Sequence, residues 1–221
     1  MFKQALVASA AALVLSQAHA NVLLSEGFDN IANLSNWVQL NESVPVGATG
    51  WFQGNPNVFP AFEGPDNSYI GANFNNTAGV GTIANWLMTP ELSFGLAADL
   101  SFFTRAVGQF FPDRLEVRLS TAGASSDPSS FGTLLLAINP DLLPSTYPEE
   151  WTQFTASIPA GGSGRIGFFY TVSDGGPFGD NSNYIGIDSV TVTAVPEPGT
   201  WLLMGLGIAG LAGWARRRQA A

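Results

Sequence analysis

Arg114-Leu-Glu-Val-Arg-Leu-Ser120 alternates without a fault. Leu115, Val117 and Leu119 fall on one side of an extended chain, Glu116 and Arg118 on the other, which is the period-two pattern of a half-buried strand. Outward from it, short apolar or alternating segments recur along the chain: Val22–Leu24, Trp37–Leu40, Gly50–Gln53, Ser68–Ala72, Ile83–Met88, Asp99–Arg105, Thr133–Ile138, Thr152–Ile158, Gly164–Thr171 and Tyr184–Thr193. Turn-forming clusters separate them, among them Pro45-Val-Gly47, Gly54-Asn-Pro56, Gly64-Pro-Asp-Asn67, Gly161-Gly162 and Gly175-Gly-Pro177. No window reads as an amphipathic helix. About eleven strands at this spacing predict an all-β, two-sheet antiparallel sandwich. The last segment is imperfect: Ile185, Ile187, Val190 and Val192 keep the pattern only across a break at Asp188-Ser189.

The two ends of the chain have a different chemistry. Met1-Phe-Lys-Gln4 is cationic, the following stretch to Ser16 is apolar, and Ala18-His19-Ala20 is a small-x-small cleavage site. Residues 1–20 therefore read as a signal peptide cut by signal peptidase after Ala20, with Ala18 and Ala20 as its recognition residues. At the other end Pro196-Glu197-Pro198 precedes an uncharged run from Trp201 to Ala215 and then Arg216-Arg217-Arg218. The prolines hold the chain extended. As a helix, Thr200 to Ala215 would be roughly 24 Å long at about 1.5 Å per residue, slightly short of the hydrocarbon core. Trp201 and Trp214 bracket the run as interfacial aromatics do, and the three arginines orient it with that end inside. The expectation is a terminal segment, residues 195–221, made of the proline motif, one transmembrane helix in the inner membrane and the arginine cluster, with the body outside.

The order of these elements over Val195–Arg218 resembles the PEP-CTERM sorting signal of Gram-negative bacteria. That resemblance implies processing by an exosortase at Pro196, Glu197 and Pro198, and delivery to the cell envelope or beyond.

Residues 21–194 form the body, long enough to bury a core of its own. It keeps sixteen of the chain's 17 acidic residues and four of its eight cations (Arg105, Arg114, Arg118 and Arg165), a net −12. Such a surface repels phosphate backbones, so nucleic acid is not an expected partner. The chain has no cysteine, its one histidine is His19, and its one lysine is Lys3. The mature body thus lacks the groups needed for histidine triads, thiol nucleophiles, His/Cys zinc sites and Schiff bases, and it is not expected to be an enzyme. Carboxylate-only glycoside hydrolysis is the chemistry that survives, with Glu149-Glu150 or Glu63 and Asp66 as conceivable pairs.

The body also carries a family resemblance. Ser25-Glu-Gly-Phe-Asp29, Gly64-Pro-Asp-Asn-Ser-Tyr-Ile70, Asn85-Trp-Leu-Met-Thr-Pro90, Leu100-Ser-Phe-Phe-Thr-Arg105, Asp113-Arg-Leu-Glu-Val-Arg-Leu-Ser120 and Tyr184-Ile-Gly-Ile-Asp188 occur in that order. The set resembles the choice-of-anchor J domain, which is similar to the cleaved-adhesin and MAM-type jelly rolls. It implies a jelly roll, an extracellular address, and a structural or adhesive role linked to exopolysaccharide or biofilm. By the same resemblance a structural calcium ion would be held first by Glu26 and Asp188, with Asp66 and Asn67 next. An aspartate inside an apolar strand is in any case costly to bury without partners.

The aromatics suggest a second reading, that of a carbohydrate-binding module. Trp37, Trp51, Phe52, Phe59, Phe62, Phe110, Phe111, Tyr147 and Phe178 lie in or beside turn-rich segments. Trp51 and Phe52, between glycines, are the first choice for a platform on which sugar rings would stack. Trp86 and Trp151 read as core, and Arg105 and Arg165, inside strands, read either as partners of a carboxylate such as Asp188 or Glu116 or as outward-facing side chains.

Overall fold

In the computed structural model the described residues are 21–108 and 110–195, with Gly205 and Gly207. Thirteen strands are formed: β1 (Asn21–Glu26), β2 (Val38–Asn41), β3 (Val44–Val46), β4 (Phe52–Gln53), β5 (Ile70–Asn73), β6 (Thr77–Met88), β7 (Leu92–Ser93), β8 (Ala98–Ala106), β9 (Leu115–Ser120), β10 (Thr133–Ile138), β11 (Thr152–Ile158), β12 (Ser163–Gly175) and β13 (Tyr184–Ala194). They make two antiparallel sheets. One runs β11-β8-β13-β5-β4, with β1 also on β13; the other runs β10-β9-β12-β6-β2, with β3 on β6 and β7 on β12.

All eleven expected strands exist. The two additions are short edge pieces whose composition gives little strand signal. β3 is Val-Pro-Val, overlapping what reads from sequence as a turn at Pro45–Gly47. Proline's missing N–H is tolerated there because β3 pairs only with β6. β6 also begins six residues earlier than its apolar run, through Thr77-Ala-Gly-Val-Gly-Thr82.

The core lies between the sheets. Leu115, Val117 and Leu119 of β9 point into it, as their alternation predicts, together with Leu100 and Phe102 of β8 and Ile166, Phe168, Tyr170 and Val172 of β12. Phe102 meets Phe168 edge to face across the sheets, with ring centroids 5.1 Å apart. In β13 the inward side chains are Ile185 and Ile187, then Val190 and Val192. The change of parity is a β-bulge: the register against β8 shifts between Asp188 and Thr191, and Ser189 adopts a positive φ of 51°. One extra residue keeps both apolar pairs on the core side. On its other flank β13 changes partner at the same place, from β5 through Ile187 to β1 from Val190.

A second, smaller aromatic cluster combines Phe59, Tyr69 and Tyr184 with Phe52 and Trp151. It sits against Gly186 of β13, where an added Cβ would come within 2.9 Å of Phe59, Trp151 and Tyr69. Gly186 falls between the inward Ile185 and Ile187, so this cluster occupies the sheet's other face, beneath the segment 54–69.

Among the described residues no helix is long and apolar enough to cross a membrane. The expected signal peptide with Ala18 and Ala20, the processing residues Pro196, Glu197 and Pro198, and the anchor with Trp201, Trp214 and Arg216–Arg218 lie outside the described residues.

Candidate functional site

The expected glycan platform is not formed by Trp51 and Phe52. Successive residues of an extended chain point to opposite faces, and these two do: Trp51, 5% exposed, belongs to the main core and meets Tyr170 edge-on, while Phe52 joins the outer cluster beside Tyr184. Asparagine side chains clamp the approach to Trp51. Asn41 Nδ2 donates to Thr49 O and Asn76 O, and Asn76 Nδ2 donates to Thr49 Oγ1 and Gly50 O. These bonds fix the segment that turns the indole inward, where Trp51 Nε1 is buried without a hydrogen-bond partner among the described residues.

The expected calcium ligands are not brought together either. Among the described residues no three His, Cys, Asp or Glu side chains stand close enough to hold a metal ion. Asp188 satisfies its buried carboxylate on backbone donors. Oδ2 accepts the N–H groups of Phe62 (2.9 Å) and Glu63 (3.2 Å), and Oδ1 accepts that of Ser189 (2.6 Å). Desolvation pushes its pKa up to about 6 in spite of these donors. Its role in the fold is to pin the covering segment onto the bulge of β13. Glu26 accepts the N–H of Phe28. Asp66 and Asn67 contribute backbone carbonyls, to Ala61 N–H and to Tyr69 N–H respectively.

Of the two strand arginines, Arg105 pairs with a carboxylate, though neither Asp188 nor Glu116, and Arg165 with backbone carbonyls. Arg105 reaches Glu150 at 3.4 Å and lies over the ring of Phe59, 4.4 Å from its centroid. Arg165 donates to the backbone carbonyls of Ala124, Asn36 and Thr89. Glu116 is taken by Arg118 at 2.7 Å. Trp86 is core, stacked on Phe169 at 4.0 Å. Trp151 is half-buried, donating Nε1–H to Pro60 O.

A concave site lies elsewhere. A cleft of about 180 Å³ is lined by Phe74, Phe111, Gly176, Pro177, Ser182 and Asn183. Three segments build it: the 3-10 turn Phe74–Asn76 after β5, the β8–β9 connection, and the β12–β13 connection. The turn is capped by Asn73, whose side chain accepts Asn75 N–H. The segments are cross-linked by Phe74 N–H to Asn183 O (2.9 Å) and Ser182 N–H to Pro112 O (3.0 Å). Ser182 Oγ accepts Gly176 N–H, and Asn183 Nδ2 donates to Val107 O.

Asp113 holds these segments together from within. Its Oδ1 accepts both Tyr170 O–H (2.6 Å) and Asn183 N–H (2.9 Å). Oδ2 is buried and has no hydrogen-bond partner among the described residues. Burial pushes its pKa up to about 6, against the pull of those donors. Beside the cleft, Phe110 is 86% exposed and Phe178 81%, with Phe111 at 47%. Sequence reading places all three in turn-rich segments. Their flanks, Gln109-Phe-Phe-Pro112 and Gly176-Pro-Phe-Gly179, supply no alternating apolar partner that would draw them inward.

Comparison with solved structures confirms the sandwich. The K1 cleaved adhesin domain of Lys-gingipain (Kgp) from Porphyromonas gingivalis W83 is 23% identical, with a TM-score of 0.58 over 78% of this chain and 98% of that one. The K3 domain of the same protein is 21% identical, with a TM-score of 0.58 over 80% and 100%. Its K2 domain is 14% identical, with a TM-score of 0.55 over 76% and 98%. At these identities the likeness is one of fold. No curated protein matches the chain. Residues 194–218 match the PEP-CTERM protein-sorting motif, which marks a secreted, envelope-associated protein for exosortase processing. The chain thus joins a body with the jelly-roll fold of the cleaved adhesin domains to a C-terminal PEP-CTERM sorting motif.

Proposed function

We propose that this protein is an exported adhesive or structural component of the cell envelope or its exopolysaccharide matrix. The observation that carries the reading is the junction of body and tail. The sorting motif begins at Ala194, the last residue of β13, which is the middle strand of its sheet. In sequence, the sorting motif thus begins where the last strand of a module of adhesin-type fold ends. The acidic body, free of histidine, cysteine and lysine, fits a part that binds or builds rather than catalyses. Signal peptidase would release Asn21 as the new N-terminus, an inner-membrane anchor would hold the body outside, and exosortase would act at Pro196-Glu197-Pro198.

The test is intact mass of the protein recovered from membrane, envelope and medium of the producing bacterium. The wild-type chain is expected to begin at Asn21 and to lack the hydrophobic tail. The variant Pro196→Ala/Glu197→Ala/Pro198→Ala is expected to retain the tail and stay in the inner membrane. A full-length chain, uncut at both ends and free in the cytosol, would overturn the reading. Carbohydrate binding is the second reading, and it is favoured by one observation, the aromatic-lined cleft.

A further inference from the structure

We propose that the cleft between Phe74, Phe111 and Asn183 is a binding site for a neutral polysaccharide. One sugar ring would sit in the cleft against Phe111, and Phe110 and Phe178 would extend the stacking surface to neighbouring rings. The inference deepens the carbohydrate-binding reading and rests on it.

Three independent observations support it. The first is exposure: Phe110, Phe111 and Phe178, at 86%, 47% and 81%, lie on the two connections that build the cleft. A single exposed phenylalanine needs no explanation, but here Phe111 lines the cleft and Phe110 and Phe178 are chain neighbours of lining residues. The second is the lining. Gly176 and Pro177 add little side-chain bulk, Phe74 and Phe111 add aromatic surface, and half-buried Asn183 adds a polar side chain whose Nδ2 is held by Val107 O while buried Ser182 braces Gly176. Apolar walls with a few convergent polar groups are what a ring with one apolar face and a rim of hydroxyls requires. The floor is already in place, because Asp113 ties Asn183 to Tyr170 and Ser182 is bonded to Pro112. Less ordering is then needed when the ligand arrives.

The third is charge. The β12–β13 connection and its approach carry Asp174 and Asp180 and no cation. Arg114, three residues after Phe111 on the β8–β9 side, donates to Thr171 O and Pro140 O. An acidic frame disfavours uronate, sulfate and phosphate groups, as well as an anionic lipid surface. Uncharged hexose or pentose polymers are left as the ligand class.

Affinity electrophoresis of the mature protein tests this, with laminarin, xylan or galactan in the gel as neutral probes and alginate as the anionic one. Retardation is expected in at least one neutral gel and not in alginate. Phe111→Ala and the pair Phe110→Ser/Phe178→Ser are expected to weaken it by about tenfold or more, with thermal midpoints close to wild type. Retention undiminished in both variants would overturn this site while leaving glycan binding by the body intact. Equal or stronger retardation in alginate would overturn the ligand class. No retardation of the wild-type protein in any gel would overturn the carbohydrate-binding reading itself, and the site with it.

Discussion

Two aromatic groups in this protein share a composition and have opposite fates. Phe59, Tyr69, Tyr184 and Trp151 form a covered box on the outer face of the first sheet, and Phe59 is 4% exposed. Phe110, Phe111 and Phe178 are exposed, on the two connections that build the cleft, and Phe111 lines it. Both groups draw on residues in loops rich in glycine and proline. The difference lies in what each group rests on and what covers it. Gly186 leaves room for the box to settle on the strand, and the segment 54–69 lies over it, held by Asp188. Over Phe110 and Phe178 no segment folds back among the described residues, which leaves them 86% and 81% exposed. Each region is also organised by one buried carboxylate. Asp188 uses both oxygens on backbone N–H groups, whereas Asp113 leaves Oδ2 without a partner among the described residues.

The contrast is broken most severely by truncating the box. Phe59 stacks with Tyr69 at 5.0 Å and meets Trp151 and Tyr184 edge-on. Phe59→Ala should cost about 3–5 kcal/mol in denaturant unfolding, the usual range for a buried phenylalanine. A loss under ~1 kcal/mol would mean that the box is not a second core.

The two carboxylates give the next largest effect. Both are raised from 3.8 to about 6 by burial. Between about pH 4 and 6 the folded chain therefore keeps protons that the unfolded chain has lost. Stability contributed by these groups is fully present below about pH 4 and is lost as pH rises through about 6. For Asp113 the shift amounts to about 3 kcal/mol, at 1.36 kcal/mol per unit. Asp113→Asn is expected to flatten the fall in melting temperature between pH 4 and 7.5 and to match or exceed wild type at pH 7.5. The amide oxygen can still accept from Tyr170 and Asn183, and the substitution removes the negative charge whose burial is the main cost at that pH. Asp188→Asn should instead destabilise at every pH by about 1.5–3 kcal/mol, because a single amide oxygen cannot serve donors on both sides. Equal behaviour of the two variants across a pH series would erase the distinction drawn between the carboxylates.

The smallest effect belongs to the open group. Phe110→Ser/Phe178→Ser should shift the unfolding free energy by no more than ~0.5 kcal/mol, as for other exposed positions. A larger loss would place these rings in the core and remove them from the binding surface.

Much of the fold was legible because strand periodicity is local. The eleven segments, the inward Leu115, Val117 and Leu119, and the break at Asp188-Ser189 are all readable in the amino-acid order. The break proved to be a bulge that restores the core side for Val190 and Val192. The site was less legible. Trp51 and Phe52 look like one feature in sequence, but the strand sends them to different clusters. The partners of Asp188 were illegible for a related reason: they lie in the backbone of a segment more than a hundred residues away.

By itself the sequence determined the all-β class, the acidic body without histidine, cysteine or lysine, and the PEP-CTERM segment at its end, because each depends on residue type, local period or linear order. Tertiary structure alone decided which aromatics are buried, which carboxylate holds which loop, and where a cleft opens. Those outcomes depend on which distant backbone comes to lie over a side chain, and pairings between strands far apart in sequence settle that.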